Sequence, residues 1–384
     1  MTSKNLLPNE LKTWGNLTEE AKKIKKTKLK RQDIKDSNFT VNSCGITLDF
    51  SRQLINTKLI DKLFLLANEI ELKQKINDFF CGKLKYSNPS TSPLHMALRG
   101  CNINNPPWDH QKNIIVKKEL DKFLDFAEEL RNSRIKGWKD EAIKNIVVLG
   151  LGGSILGPKF TTNALKNISK SSKIKIFFIS NPDCKYLNYC LKGLNAEETM
   201  FFIQSKSYNT PEIKILENYA HMWLNDSGCP KKDVKAHFVV ITANENDPKL
   251  DNYMMGQSFK TWDWIGGRFS VWSAMGLSLA VSIGKKNFLG FLNGGREMDH
   301  HFLTEKFSTN LPVLSALISA WNSNFMGFPS HLISTYSSDL DLLVPYLQQL
   351  DMESLGKNRH INGSKCKIDT GQIVWGGPGI EGQH

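Results

Sequence analysis

The sequence predicts an α/β fold: two α/β sandwich units with parallel sheets, the second incomplete, after an N-terminal helical segment. Three observations predict it. Four short apolar runs, Ile146-Val147-Val148-Leu149, Ile174 to Ile179, Met200 to Ile203 and Phe238 to Ile241, alternate with helical segments, as strands of a parallel sheet covered on both faces do. The runs at Leu149 and Ile203 lead into loops rich in glycine or hydroxyls, and ligands of such sheets sit outside the carboxyl ends of the strands. A chain of 384 residues also has room for two or three cores at roughly 150 residues each.

In chain order, residues 1–117 carry helical patterns such as Leu59 to Lys75, interrupted by the Pro- and Ser-rich stretch Asn88 to Pro93 and by Asn105-Pro106-Pro107. An amphipathic stretch from Lys117 to Lys136 opens the first α/β unit, placed at 118–285. The second unit, 286–384, begins with helical patterns at Asp299 to Lys306 and Leu311 to Asn324. A strand at Leu332 to Tyr336, a helix from Leu340 and a short strand Gln372-Ile373-Val374-Trp375 complete it. The run Gly376 to His384 follows the last strand where a crossover helix normally comes, so this unit is expected to be cut off.

Composition narrows the function classes. Hydrophobic residues at 40% and charged residues at 23% describe an ordinary globular protein. The seven cysteines are odd in number with no CxxC pair, which predicts reduced thiols in a cytoplasmic protein and no metal site. No apolar leader and no run of about 18 apolar residues occurs, so neither secretion nor a membrane partner is expected. The net charge of +12 gathers in Lys22, Lys23, Lys25, Lys26, Lys28, Lys30 and Arg31. No aromatic interleaves with that run, so it reads as a solvated helix face and not as a nucleic-acid surface.

Chemistry concentrates in five segments. Gly150-Leu151-Gly152-Gly153-Ser154-Ile155-Leu156-Gly157-Pro158 can bring backbone N–H groups and the Ser154 hydroxyl to an anion. It is not a dinucleotide fingerprint, because Ile155 stands at the third glycine, nor a P-loop, because Pro158 stands where lysine must be. Ser205, Ser207 and Thr210 put three hydroxyls at a helix mouth, for anion binding, helix capping or both. Gly266-Gly267-Arg268 offers a guanidinium to a negative substrate or pairs with a carboxylate. Glu353, between Met352 and a Ser-x-Gly turn, is a candidate general base if partly buried. The terminal run ends in Gly382-Gln383-His384.

In order, Leu94-His95-Met96-Ala97-Leu98-Arg99, Gly150 to Pro158, Ser205-Lys206-Ser207, Gly266 to Ser273, Asp351-Met352-Glu353-Ser354-Leu355-Gly356-Lys357 and Gly382-Gln383-His384 resemble the phosphoglucose isomerase family. The resemblance implies two sugar-isomerase (SIS) α/β sandwich domains and interconversion of glucose 6-phosphate and fructose 6-phosphate, a step of glycolysis and gluconeogenesis, without metal or organic cofactor. It implies phosphate binding by Gly153, Ser154, Ser205, Ser207 and Thr210, and a sugar-phosphate contact by Gln349. Glu353 matches the base that shuttles a proton through an enediol(ate), Arg268 its stabiliser, His384 the ring-opening group and Glu212 the carboxylate orienting it. Lys206 and Gly267 stand beside this catalytic set. A homodimer is implied, with His384 reaching the neighbouring subunit's site.

Three departures accompany the resemblance. Asn209 replaces a usual hydroxyl residue, Ile380-Glu381 replaces a usual Thr-Asn, and family members continue for well over a hundred residues more. An isomerase is therefore expected, with a sugar-phosphate binder of impaired or no catalysis as the alternative. The chain alone is expected to have at most trace activity.

Overall fold

A computed structural model describes residues 7–26, 39–84, 92–100, 110–168, 172–244, 257–360 and 363–382. Helix α1 (Lys12–Lys26) is followed by a hairpin of β1 (Thr40–Ser43) and β2 (Ile46–Asp49), then by α2 (Thr57–Glu69) and α3 (Leu72–Phe80). The hairpin falls in a region whose patterns read as helical. Its strands are four residues long, and its turn is Cys44-Gly45, both at positive φ, with no Asn-Gly or Asp-Gly to announce it. Asn56 caps α2 by accepting from the Leu59 amide at 3.0 Å. These elements bury Leu17, Leu63 and Phe80 in one core with Trp321 and Phe325.

The expected helix face holds where it is described: on α1, Lys22 pairs with Glu19 and Lys23 with Glu20. Lys28, Lys30 and Arg31 lie outside the described residues.

Helix α4 (His110–Arg131) leads into β3 (Asn145–Gly150), α5 (Leu156–Leu165), β4 (Lys175–Ile179), α6 (Cys184–Leu191), β5 (Thr199–Gln204), α7 (Pro211–Asp226), β6 (Phe238–Thr242) and β7 (Gln257–Lys260). The strands form one parallel sheet in the order β4-β3-β5-β6-β7. Four are the predicted apolar runs. The fifth, β7, reads Gln-Ser-Phe-Lys with one buried apolar side chain, Phe259, so an edge strand left no run to find. Alternation along each strand divides the core. Ile146, Val148, Phe202 and Ile241 pack with Leu124 and Ala127 of α4, while Val147, Leu149, Phe201 and Ile203 pack with Leu216 and Ala220 of α7.

Order reverses between β3 and β5, and Gly150 lies in register with Gln204. The loops after these strands therefore emerge side by side at the switch point of the sheet.

Two helices, Lys285–Thr304 and Leu311–Ala320, carry the chain to β8 (Ser330–Thr335), which pairs in parallel with β9 (Ile373–Pro378). Between them the helix Leu343–Leu347 passes through a π-helical turn, Gln348–Met352, into Glu353–Leu355. A single turn, Gly379–Gly382, follows β9.

Candidate active site

The loop after β3 and the loop after β5 enclose a cavity of ≈ 400 Å³ lined by Leu151, Ser154, Gln204, Ser205, Lys206, Ser207, Thr210, Ile213 and Asp263. Four of its predicted phosphate ligands, Ser154, Ser205, Ser207 and Thr210, thus share one wall. The loop that carries three of them turns back on Tyr208, which is at φ 56, a left-handed conformation costly for a bulky side chain. Tyr208 is 1% exposed, and its hydroxyl donates to Glu217 at 2.6 Å; this buried bond holds the turn.

Within the turn the Ser205 hydroxyl accepts from the Tyr208 amide at 3.2 Å and the Ser207 hydroxyl from the Asn209 amide at 3.3 Å. Each oxygen is fixed as an acceptor, which leaves its own O–H to donate into the cavity.

Of the two roles left open for its hydroxyl, Thr210 does not fill the capping one. It occupies the N-cap of α7, but its hydroxyl caps nothing. N1 is Pro211, which has no N–H, and the Ile213 amide bonds to the Thr210 backbone carbonyl at 3.1 Å. The hydroxyl is left to the cavity. Lys206 does not direct its ammonium at the centre of this wall. Its Nζ donates to the Asp263 carbonyl at 2.8 Å, and burial, partly offset by the Asp263 carboxylate, lowers its pKa.

The other predicted group sits on the far side of the Gly152-Gly153 loop. Gly153 meets Gly267 back to back: a Cβ at 153 would lie 2.3 Å from the Gly267 carbonyl carbon and 2.4 Å from the Arg268 nitrogen. Ser270 Oγ also donates to the Gly153 carbonyl at 3.2 Å. Arg268 then reaches Glu353 with one NH1 bond of 2.7 Å and Ser354 with Nε at 2.7 Å. The guanidinium has five N–H groups, so three are left beyond these two bonds.

Glu353 is not the partly buried base that the sequence suggested. Its side chain is 52% exposed beside an Arg268 side chain at 14%. Gln349 comes forward on the π-helical turn: its Nε2 lies 3.1 Å from the Cβ position of Gly152, and its Oε1 is buried with no hydrogen-bond partner among the described residues. The extra residue in such a turn re-aims side chains, and these turns recur at functional sites. Glu212 stands exposed in the first turn of α7. His384 and Gln383 lie outside the described residues.

Three contributors had no role assigned from sequence. His95 stacks on Phe269 with ring centroids 4.3 Å apart and also meets Phe79 at 5.7 Å. This burial, with Arg99 and Arg268 adding repulsion, pushes its imidazole down to about 3, so it is neutral beside Arg268. Arg99 makes a two-point ion pair with Asp299, at 2.6 and 2.8 Å, and lies over Trp272. Ser354 orients Arg268. All three lie in segments singled out by motif, but their partners are distant in sequence.

The phosphoglucose isomerase family matches residues 49–384. The chain belongs to the phosphoglucose isomerase family. Its chemistry is accordingly aldose–ketose isomerisation between glucose 6-phosphate and fructose 6-phosphate. Among curated proteins it is 35% identical to the glucose-6-phosphate isomerase of Paraburkholderia phymatum, over 98% of this chain and 70% of that protein. It is 36% identical to the glucose-6-phosphate isomerase of Shewanella putrefaciens, over 90% of this chain and 64% of that protein. Among solved structures, a glucose-6-phosphate isomerase from Chlamydia trachomatis superposes with a TM-score of 0.87 at 27% identity, over 98% of this chain and 72% of that one. These relatives favour the isomerase over the non-catalytic binder. Phosphoglucose isomerase membership also gives the fold its sugar-isomerase type.

Proposed function

We propose that the phosphate of the hexose sits in the cavity of Ser154, Ser205, Ser207 and Thr210, with Gly153 keeping the loop close, and that Glu353 carries the proton between C1 and C2. The observation that carries this is the contact of Gly153 with Gly267 and Arg268. One loop has the anion cavity on one side and the Arg268–Glu353 pair on the other, so a substrate anchored by its phosphate lies across to the carboxylate.

Hydroxyls bind a phosphate dianion without neutralising it, joined by the backbone N–H groups of Lys206 and Ser207, which donate no hydrogen bond among the described residues. Glu353 takes the proton from C2 of the open-chain aldose, giving an enediolate with its charge on O1; the O2 hydroxyl proton passes to O1, and Glu353 returns its proton to C1 as the C2 carbonyl forms. Arg268 spends two donors on Ser354 and Glu353 and offers the rest to the enediolate oxygen, where charge develops. Gln349 supplies a further polar contact beside Gly152. His384 opens the ring, oriented by Glu212, across a homodimer in which each subunit completes its partner's site. The free state of all six described cysteines fits a cytoplasmic enzyme, and among the described residues no helix is long and apolar enough to cross a membrane.

Titration of the chain with fructose 6-phosphate tests the anchoring. Ser205→Ala and Ser207→Ala are each expected to weaken binding by about tenfold or more, since a hydrogen bond to a charged group contributes about 1.5–3 kcal/mol. Unchanged affinity in the double variant would remove the phosphate from this cavity.

A further inference from the structure

The carbonyls of the loop after β5 are held from one side. The Lys206 carbonyl accepts from the Ala243 amide at 2.9 Å and from the Thr242 hydroxyl at 3.1 Å, and the Ser207 carbonyl accepts from Asn244 Nδ2 at 3.4 Å. All three donors lie at or just beyond the end of β6. With the carbonyls engaged there, the chain reaches α7 by reversing at Tyr208, which takes φ 56. A bulky side chain keeps that conformation only where its surroundings enforce it.

The enforcing groups are on α7. The Tyr208 hydroxyl donates to Glu217 Oε1 at 2.6 Å, with Tyr208 1% and Glu217 3% exposed. Lys214 Nζ lies 5.7 Å from the centre of the Tyr208 ring, and positions 214 and 217 are neighbours on one helix face. A bond to a carboxylate is stronger than one between neutral groups, and a buried carboxylate is costly to leave without it. Neither Tyr208 nor Glu217 is among the residues lining the cavity, so any effect they have on a ligand there passes through the loop.

We infer that Tyr208 and Glu217 are positioning residues for phosphate binding, an inference that rests on the phosphate reading above. Their buried bond clamps the loop onto α7, so that the hydroxyls of Ser205, Ser207 and Thr210 and the N–H groups of Lys206 and Ser207 stand in place before a ligand arrives. Without the clamp Tyr208 relaxes toward negative φ, and the bonds that fix the two serine oxygens, from the Tyr208 and Asn209 amides, open with it. Affinity then falls because binding must order the loop, although no contact to the ligand has been removed.

The test is calorimetric titration of the 384-residue chain and its variants with inorganic phosphate, together with amide hydrogen exchange at positions 208 and 209. Tyr208→Phe is read beside Tyr208→Phe with Glu217→Leu, which also removes the buried carboxylate and is expected to keep the thermal unfolding midpoint. Both are expected to weaken phosphate binding by about tenfold and to speed exchange at 208 and 209 by about tenfold or more. Glu217→Gln, whose amide oxygen still accepts from Tyr208, is expected to bind phosphate within about twofold of the unaltered chain. Unchanged exchange in the double variant overturns the clamp. Faster exchange with unchanged affinity overturns the positioning role, provided that Ser205→Ala with Ser207→Ala does lose phosphate. If that serine variant keeps its affinity, the phosphate reading itself fails and the inference falls with it.

Discussion

At the scale of single residues, Gly153 and His95 are the informative positions. A Cβ at 153 has no room, since the obstacle is the backbone of Gly267 and not a movable side chain. Gly153→Ala is therefore expected to cost about 1–3 kcal/mol of stability and to separate the anion loop from Arg268, with hexose phosphate binding falling in parallel. Equal stability and affinity in calorimetry would show that the two loops are independent.

For His95 the sign is fixed by its lowered pKa. Between the ordinary 6.5 and about 3 the unfolded chain binds the proton and the folded chain does not, so stability falls as pH falls through that window. Urea unfolding at pH 6.5 to 4 should show a slope that His95→Gln reduces by at most about 1.4 kcal/mol per pH unit. An unchanged slope would mean that His95 titrates normally.

The glycine, serine and arginine positions could be singled out as candidates because each chemistry leaves few residue choices. The burial of His95 and the exposure of Glu353 were not, because both depend on what packs beside them from elsewhere in the chain.

At the scale of elements, the segment His95–Arg99 supports the Arg268 turn. Arg99 is 7% exposed, and its bond to Asp299 crosses from this segment to the helix Lys285–Thr304 while its guanidinium lies over Trp272. Arg99→Ala strands a buried carboxylate and is expected to cost about 3–5 kcal/mol, whereas Arg99→Ala with Asp299→Ala should cost clearly less than the sum of the two single changes. Additive losses in thermal unfolding would show that the pair is not coupled. Elements with a strong period were readable from the sequence: β3, β5 and β6 are unbroken apolar runs. The β1–β2 hairpin and β7 were not, since short or edge strands need neither alternation nor a hydrophobic run. The π-helical turn before Glu353 has no sequence mark at all, because it differs from α-helix by a single inserted residue.

At the scale of the whole molecule, the sheet switch point, the glycine contact and the π-helical turn bring the cavity of Ser154, Ser205, Ser207 and Thr210 and the Arg268–Glu353 pair to one loop. In the reaction proposed above, carboxylate, guanidinium and hydroxyls divide the work: the phosphate would be held by groups that leave its charge intact, and the charge formed on the enediolate would be met by donors already in place. Proton transfer through Glu353 is the centre of this account, and exchange with solvent reads it directly. Fructose 6-phosphate incubated with the protein in D2O, and followed by NMR, is expected to gain deuterium at C1, with Glu353→Gln slowing the gain by about 10²–10⁴-fold while hexose phosphate still binds. Deuterium entering at the same rate in Glu353→Gln would contradict the assignment of Glu353 as the base.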